Sequence, residues 1–227
     1  MPAATKNLVF DWNGTLFDDI HALHASTNRL LELEGHQPVT LDTFRDNYTV
    51  PLEDLYRKMG FDQTQVARLM SLENSSFHDS YEAMAETTQL REGARDILIH
   101  VRDHKVQSVI LSNHIVDPIC AQLRRLEIDH LFFEVLAYAD RATQFRDMTK
   151  GERLRRFMVK HDLSPEHTII VGDSVEEIHI GREQGFVSVA ITGGCASEER
   201  LRAENPNYLI HSLHELKPIL LAEGFAS

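Results

Sequence analysis

Carboxylates that follow short apolar runs are the residues of this sequence best placed to do chemistry. Asp11 ends the apolar run of residues 7–10 and opens the segment DWNGTLFD. Gly14 permits a tight turn directly after it. Such a turn can present the Asp11 carboxylate to a ligand as a nucleophile.

A second acidic pair follows the apolar run of residues 169–171. The segment GDSVEE places Asp173 at the end of that run and Glu177 one helical turn later. Paired hard oxygen ligands suit magnesium, which needs few protein ligands. The two acidic residues therefore predict a Mg²⁺ site.

Three further residues carry groups that bind phosphate. Ser112 and Asn113 follow the run of residues 106–111 with a hydroxyl and an amide, and Lys150 precedes a helical pattern. An ammonium there can neutralise a nucleophile and a developing phosphoryl charge. Taken singly, a cap at a strand end and an exposed lysine explain these residues equally well.

The elements that must position these residues alternate after Gly93 between helical patterns and apolar runs. Six runs read as strands: residues 7–10, 106–111, 132–137, 168–171, 186–191 and 208–210. Such alternation predicts an α/β fold with a doubly wound, Rossmann-like parallel sheet and right-handed crossovers. Ligands bind beyond the carboxyl ends of such strands, where the candidate residues lie.

Residues 18–90 differ from the rest because they show helical periods and almost no strand pattern. The sequence thus predicts a discontinuous core domain, residues 1–17 and 91–227, interrupted by an all-helical domain, residues 18–90.

The order Asp11, Ser112, Lys150, Asp173 resembles the four motifs of the haloacid dehalogenase-like superfamily, including its Gly-Asp-Ser element at residues 172–174. The helical insertion resembles the mobile helical (C1-type) cap of its phosphoglycolate-phosphatase-like and β-phosphoglucomutase-like members. A cap of this kind closes over substrate and excludes water. The resemblance covers the whole predicted core.

The resemblance implies a Mg²⁺-dependent phosphatase that acts on a small phosphorylated metabolite, either a phosphoric monoester or an acyl phosphate. Asp11 would attack phosphorus to form an aspartyl-phosphate, while Ser112 and Lys150 bind the phosphoryl group. Magnesium would be held by Asp11, Asp173 and the backbone carbonyl of Asn13, with Glu177 binding directly or through water.

Substrate contacts are expected near these motifs and in the cap. Cationic cap residues could grip a carboxylate or a second phosphate, although a solvated helix face explains them as well. The candidates are Gly14, Thr15, Asn113, His114, Arg45 and Arg57.

Asn13 departs from the family, whose phosphatases usually carry aspartate there to protonate the leaving oxygen and later activate water. Asparagine can do neither, and acid–base catalysis is typically worth about 10²- to 10⁴-fold. Four explanations stay open: a good leaving group such as an acyl phosphate or anhydride, a substitute acid (Asp18, His21 or a cap residue), a weakened phospho-ligand-binding protein, or an engineered replacement. Glu177, where the family usually has aspartate, is a milder change.

Composition limits the classes of partner that the protein is expected to bind. The formal charge is 23 − 35 = −12, which repels nucleic acid and anionic membranes. Cys120 and Cys195 have no metal-ligand spacing, which fits a reduced cytoplasmic protein. We expect a soluble monomer or homodimer. Gly193-Gly194 reads as a plain surface turn, since no dinucleotide or P-loop motif is present.

Three rival functions remain. A metal-independent dehalogenase would use Asp11 on carbon, but the acidic pair Asp173 and Glu177 favours phosphate chemistry. A receiver-type signalling domain would be about half this length and lack the cap. A non-catalytic binding module has only Asn13 in its favour.

Overall fold

The computed structural model describes residues 5–144 and 148–226. Within them, the strands are β1 (Asn7–Phe10), β2 (Gln107–Ile115), β3 (Glu134–Tyr138), β4 (Thr168–Gly172), β5 (Val187–Ile191) and β6 (Tyr208–Ile210). They form one sheet in the order β3-β2-β1-β4-β5-β6, and every pairing is parallel. The predicted doubly wound parallel sheet is confirmed.

Helices separate the strands along the chain. They are α1 (Ile20–Leu33), α2 (Leu41–Asn47), α3 (Leu52–Lys58), α4 (Gln63–Leu69), α5 (Ser76–Ala85), α6 (Ala94–Asp103), α7 (Val116–Arg125), α8 (Arg141–Gln144), α9 (Lys150–Lys160), α10 (Val175–Gln184), α11 (Glu198–Ala203) and α12 (Leu216–Ala222). In the described ranges, short 3₁₀ helices span Asp129–Leu131, Pro165–His167 and Leu213–Glu215. Among the described residues no helix is both long and apolar enough to cross a membrane.

Helices cover both faces of the sheet, which explains why its strands are continuous apolar runs rather than alternating ones. Leu8 and Phe10 of β1 pack on one face with residues of α6, α7 and α12. Val9 packs on the other face with residues of α9 and α10. The central strand β1 is therefore buried on both sides and its end is held rigidly.

The chain leaves the sheet region after β1 and returns to it just before α6. Phe17 and Leu90 form an antiparallel bridge, and Arg91 N donates to Leu16 O at 2.9 Å. The intervening segment contains α1 to α5 and buries a core of its own, formed by Leu30, Leu31, Tyr56, Phe61, Val66 and Leu69. We call residues 18–90 the helical insertion.

Strand β2 is longer than the sequence predicted. It continues from Leu111 to Ile115, with an irregular register against β3 between these two residues. Ser112, Asn113 and His114 therefore lie within the strand and not in a loop after it. Ile115 pairs with Tyr138, so the extension depends on a partner strand that the local apolar run does not reveal.

Candidate active site

The ends of the three middle strands bring the candidate residues together. Phe10 is in register with Ile110 of β2 and Val171 of β4, and Asp11 N donates to Val171 O at 2.9 Å. Strand order reverses at β1, with β2 on one side and β4 on the other. This is the switch point at which open α/β sheets bind ligands.

Lys150 is the first residue of α9 and reaches the end of β1. Its Nζ donates to Asp11 Oδ1 at 2.6 Å and also to Glu177 Oε1. Thr149 holds this helix start through a capping box with Glu152. Lys150 is only 3% exposed, so the helix delivers a buried ammonium to the candidate nucleophile.

Burial and neighbouring charges set the ionisation of this cluster. Burial raises the pKa of Asp11 well above its usual range; the Lys150 ammonium opposes this shift, while the charges of Glu177 and Asp173 add to it. Burial by itself lowers the pKa of Lys150, but the carboxylates of Asp11 and Glu177 outweigh it, so that pKa is raised. Lys150 is therefore fully charged at neutral pH.

Asp173 is held by groups on either side. Thr15 Oγ1 donates to its Oδ1 at 2.9 Å, and Cys195 N donates to its Oδ2 at 2.5 Å. A Cβ atom on Gly14 would lie 2.2 Å from Asp173 Oδ2, and one on Gly194 would lie 2.0 Å from it. Only glycine fits at these two positions, because any side chain would displace the carboxylate.

The prediction of a plain surface turn at Gly193-Gly194 is therefore wrong for Gly194. Gly193 is exposed, but Gly194 is buried against Asp173. A pair of glycines after a strand gives no sign of which carboxylate will pack on it. Cys195 is also buried, and burial raises the pKa of its thiol well above the usual range.

Glu177 closes the first turn of α10. Its Oε2 accepts from Ser174 N at 3.2 Å in a capping box and also from Ser174 Oγ at 2.8 Å, while Oε1 accepts from Lys150. The longer side chain, where the family usually has aspartate, thus reaches both its own helix terminus and the buried lysine.

Asn13 faces a polar pair that the sequence did not reveal. Its Nδ2 donates to Asp19 Oδ2 and to the Tyr81 hydroxyl, each at 2.7 Å, and Tyr81 donates to Asp19 at 2.5 Å. Ser112 Oγ donates to Asn13 Oδ1 at 3.3 Å. Burial raises the pKa of Asp19, against the hydrogen bonds from Tyr81 and Asn13.

Asp18 and His21, the substitute acids considered from the sequence, are both exposed. The carboxylate that reaches Asn13 belongs instead to Asp19, which is 1% exposed. The two aspartates are adjacent, and only the entry into α1 decides which one turns inward.

The predicted substrate contacts fall into two groups. Asn113 and His114 line the same cavity as Asp11; Asn113 Nδ2 donates to Glu176 at 2.6 Å, and His114 Nε2 lies 2.9 Å from Glu82. Gly14 and Thr15 do not line it and instead support Asp173.

The two cap arginines also lie outside the cavity. Arg45 donates to the carbonyls of Gly194 at 2.9 Å and Gly193 at 2.8 Å, which ties α2 to the turn that packs on Asp173. Arg57 is exposed and pairs with Asp54 on its own helix. The structure therefore does not bring either arginine to the place expected for a substrate contact.

The cavity has a volume of about 500 Å³ and lies between the strand ends and the helical insertion. Its polar end is formed by Asp11, Asn13, Ser112, Lys150, Asp173 and Glu177. Its other end, which we call the apolar end, is formed by apolar and aromatic side chains of α1 to α5 and the loops between them.

Asp11, Asp173 and Glu177 fit a divalent cation. Each offers one carboxylate oxygen, and these oxygens lie within 4.8 Å of one another. All three residues are buried. Lys150, the one ammonium that contacts them among the residues the structure describes, cannot balance three carboxylates. Hard oxygen donors with a negative excess are the set that Mg²⁺ prefers.

Fold and site together define a doubly wound α/β protein with a buried carboxylate and lysine at its switch point. The family model for haloacid dehalogenase-like hydrolases matches residues 8–191. The chain belongs to this family, as the order of its motifs predicted, and is a hydrolase.

Individual relatives are distant but match over nearly their full length. The chain is 25% identical to a phosphoglycolate phosphatase of Synechococcus elongatus, covering 92% of this chain and 94% of the relative. It is 22% identical to a pyrophosphatase of Oceanobacillus iheyensis, covering 97% and 99%. A solved haloacid dehalogenase-like hydrolase of Streptococcus pneumoniae superposes with a TM-score of 0.80 at 22% identity, covering 95% and 98%.

Proposed function

We propose that this protein is a Mg²⁺-dependent phosphatase that takes the phosphoryl group of a small phosphorylated metabolite onto Asp11. The observation that carries the proposal is the buried Asp11 carboxylate, which lies 2.6 Å from Lys150 Nζ at the polar end of the cavity. The relatives named as phosphatases of phosphoglycolate and pyrophosphate support it.

Asp11, Asp173, the backbone carbonyl of Asn13 and Glu177 would hold Mg²⁺, with Glu177 bound directly or through water. When bound, the ion offsets the negative charge of the phosphoryl oxygens beside the carboxylates. Thr15 and the Cys195 amide keep Asp173 oriented toward this position.

In the first step, a carboxylate oxygen of Asp11 forms a bond to phosphorus while the bond from phosphorus to the leaving oxygen breaks. The leaving group departs with that electron pair, and an aspartyl-phosphate results. Lys150 and Ser112 bind the phosphoryl oxygens, whose charge would otherwise repel the carboxylate. Both groups are already in place, so little reorganisation is needed.

In the second step, water attacks phosphorus and the bond from phosphorus to Asp11 breaks. Asp11 is regenerated as a carboxylate, and both protons of the water leave with the phosphate as H₂PO₄⁻. The charge of the aspartyl-phosphate dianion is thereby divided equally between the two products.

Asn13 limits the kinds of leaving group that this site can expel readily. Both amide hydrogens are engaged by Asp19 and Tyr81, and an amide has no proton to give to a leaving oxygen. Acyl phosphates, anhydrides and aryl phosphates leave without prior protonation, whereas alkyl phosphates do not. We therefore infer a preference for the first three classes.

The helical insertion would act as the cap. Tyr81 of α5 hydrogen-bonds Asp19 and Asn13, and Arg45 of α2 hydrogen-bonds the turn at residues 193–194. These contacts hold the insertion over Asp11, where a cap would limit the access of bulk water to the reacting groups.

Phosphate release in Mg²⁺ and in EDTA tests the proposal, with acetyl phosphate, pyrophosphate and phosphoglycolate as substrates. We expect Mg²⁺-dependent turnover that Asp11→Asn lowers by about 10⁴-fold or more. Undiminished turnover in EDTA would contradict the Mg²⁺ dependence, and turnover retained in Asp11→Asn would contradict the nucleophile. A melting curve of Asp11→Asn verifies that the variant is folded.

A further inference from the structure

The cavity is larger than a small phosphorylated acid requires. Its volume is about 500 Å³, within the range of about 300–1,000 Å³ of pockets that bury drug-sized ligands. Phosphoglycolate adds only one methylene and a carboxylate beyond its phosphoryl oxygen. A ligand of that size would leave much of the cavity to water.

Aromatic and aliphatic side chains of the helical insertion form the apolar end of the cavity. Phe77 and Tyr81 of α5 lie parallel, with ring centroids 5.9 Å apart and an interplanar angle of 5°. Water against such walls is unfavourable, so an apolar ligand group gains by displacing it. The walls at this end include Phe44, Tyr56, Leu69, Met70 and Phe77.

The same end offers little to a second anionic group. Among the described residues that line the cavity, the lysine and arginine side chains are Lys150 and Arg141. Lys150 is engaged by Asp11 and Glu177. Arg141 donates through Nη2 to the carbonyls of Ser71 and Asn74, and its Nε has no hydrogen-bond partner, so the described lining offers a second anionic group one guanidinium at most.

Two further titratable side chains of this region, His78 and Glu53, do not change that conclusion. Burial, with the charges of Arg141 and His114, lowers the pKa of His78 to about 4, so His78 is neutral at pH 7. Glu53 adds a carboxylate to the wall. A dianionic metabolite would therefore find few complementary charges beyond the polar end of the cavity, which we now call the phosphoryl end.

We propose, on the basis of the function proposed above, that the substrate carries its phosphoryl group on a bulky aromatic moiety bound among the aromatic side chains of α2, α3 and α5. The phosphoryl group then lies at Asp11 and the ring fills the apolar end. Contacts with the rings of Phe44, Tyr56 and Phe77, which line the cavity, favour an aromatic ring over a branched aliphatic group.

Calorimetric titration with two phosphonates tests this proposal without requiring turnover. Methylphosphonate supplies the phosphoryl-like group alone, and 1-naphthylmethylphosphonate adds the ring. In Mg²⁺ we expect the naphthyl ligand to bind at least about 10-fold more tightly, since even one methylene in an apolar pocket is worth roughly 10- to 200-fold. Equal or weaker binding of the naphthyl ligand would overturn the proposal.

Two variants locate the ring. Phe77→Ala removes one wall, and Met70→Trp fills part of the apolar end; each should lower the ratio of naphthyl to methyl affinity by about 10-fold. Phe133→Ala is the matched control, because Phe133 is 52% exposed and does not line the cavity. An unchanged ratio in both cavity variants would contradict the assignment, and melting curves show that they fold.

The outcomes separate this proposal from the phosphatase function on which it rests. Hydrolysis of acetyl phosphate without tighter naphthyl binding would overturn the aromatic ligand and leave the phosphatase in place. Tighter naphthyl binding without hydrolysis of any substrate would overturn the phosphatase and leave an aromatic phospho-ligand. With both active, phenylacetyl phosphate should exceed acetyl phosphate in kcat/KM.

Discussion

The two ends of the cavity are built on different principles. At the phosphoryl end, Asp11, Lys150 and Asp173 each have assigned hydrogen-bond partners and lie at the termini of strands or helices that the sheet core fixes. At the apolar end, Phe44, Leu55, Leu69 and Phe77 come from four separate short helices and contribute surface rather than directed bonds.

This difference shows how one fold can combine fixed chemistry with variable selectivity. Preorganised charges at strand ends suit a reaction that is the same for every phosphoryl group. Apolar walls on packed helices can change shape through single side-chain substitutions without disturbing those charges. If the division is correct, changes at the phosphoryl end should alter turnover, and changes at the helical end should alter selectivity.

The largest effect is expected at Asn13, because aspartate at this position would supply the general acid that the phosphoryl end lacks. Asn13→Asp should raise kcat on an alkyl phosphate such as phosphoglycolate by about 10²- to 10⁴-fold. On acetyl phosphate the gain should be far smaller, because its leaving group needs no proton. Steady-state kinetics on both substrates measures the difference.

Two results bear on the cause of that gain. Adding Asp11→Asn to Asn13→Asp should abolish it, which shows that the same nucleophile is used. Replacement of Asn13 by aspartate also places a carboxylate at the 2.7 Å contact with Asp19, so Asp19→Asn in the same background should preserve the gain. An equal gain on both substrates would contradict a role in leaving-group protonation.

A somewhat smaller effect is expected from Lys150→Met. Loss of a preorganised charge beside the phosphoryl group should lower kcat by about 10²- to 10³-fold. The variant also leaves the carboxylates of Asp11 and Glu177 without their buried cation. Breaking such a buried pair typically costs about 3–5 kcal/mol in the free energy of unfolding.

Lys160→Met is the matched control, since Lys160 lies on the same helix but is 64% exposed and pairs with Glu134 at 3.4 Å. Its unfolding free energy should stay within about 0.5 kcal/mol of the parent's. Denaturant unfolding in EDTA and in Mg²⁺ compares the variants, and Mg²⁺ should recover part of the stability lost in Lys150→Met. Equal stability of the two variants in EDTA would contradict a buried charge cluster.

Local sequence was sufficient to predict which residues form much of the phosphoryl end. Asp11, Ser112 and Asp173 follow apolar runs that become neighbouring strands, so parallel pairing alone brings them to one edge. Lys150 lies at a helix start that Thr149 and Glu152 make recognisable.

The remaining features depend on contacts between distant segments. Strand β2 passes Leu111 only because Ile115 pairs with Tyr138. Gly194 is buried because Asp173 packs on it. Asp19 turns inward to meet Tyr81, which lies 62 residues later in the chain. The apolar end was not predicted at all, since it exists only once five helices have packed.

A moderate effect is expected where the two ends meet, at Arg45. Its guanidinium holds the carbonyls of Gly193 and Gly194, next to the Cys195 amide that binds Asp173. Arg45→Ala should raise the Mg²⁺ concentration for half-maximal activity by roughly 3- to 10-fold, below the 10- to 100-fold typical of outer-shell partners.

Arg57→Ala is the comparison, because Arg57 is exposed and forms its ion pairs with Asp54 and Glu53 of its own helix. Such pairs contribute little, and its Mg²⁺ dependence should change by less than about 2-fold. A Mg²⁺ titration of activity compares both variants with the parent. A larger shift for Arg57 than for Arg45 would mean that Arg57 contacts substrate after all.

The smallest effect concerns the charge state of the apolar end. Burial and the positive charges of Arg141 and His114 lower the pKa of His78 to about 4, while Glu82 and Asp79 act in the opposite direction. The pKa of histidine in an unfolded chain is about 6.5. Between these two values the unfolded state binds more protons than the folded state.

The contribution of His78 to the free energy of unfolding must therefore fall as the pH falls from about 6.5 to about 4. His78→Gln removes this contribution. The Tm of His78→Gln minus the Tm of the parent should therefore increase by about 2–4 °C as the pH is lowered from 7.5 to 4.5. His130→Gln, at a side chain 62% exposed, should show no such trend. A constant difference between parent and His78→Gln would mean that His78 is hydrated and protonates freely, and the helical end would then be more polar than its walls suggest.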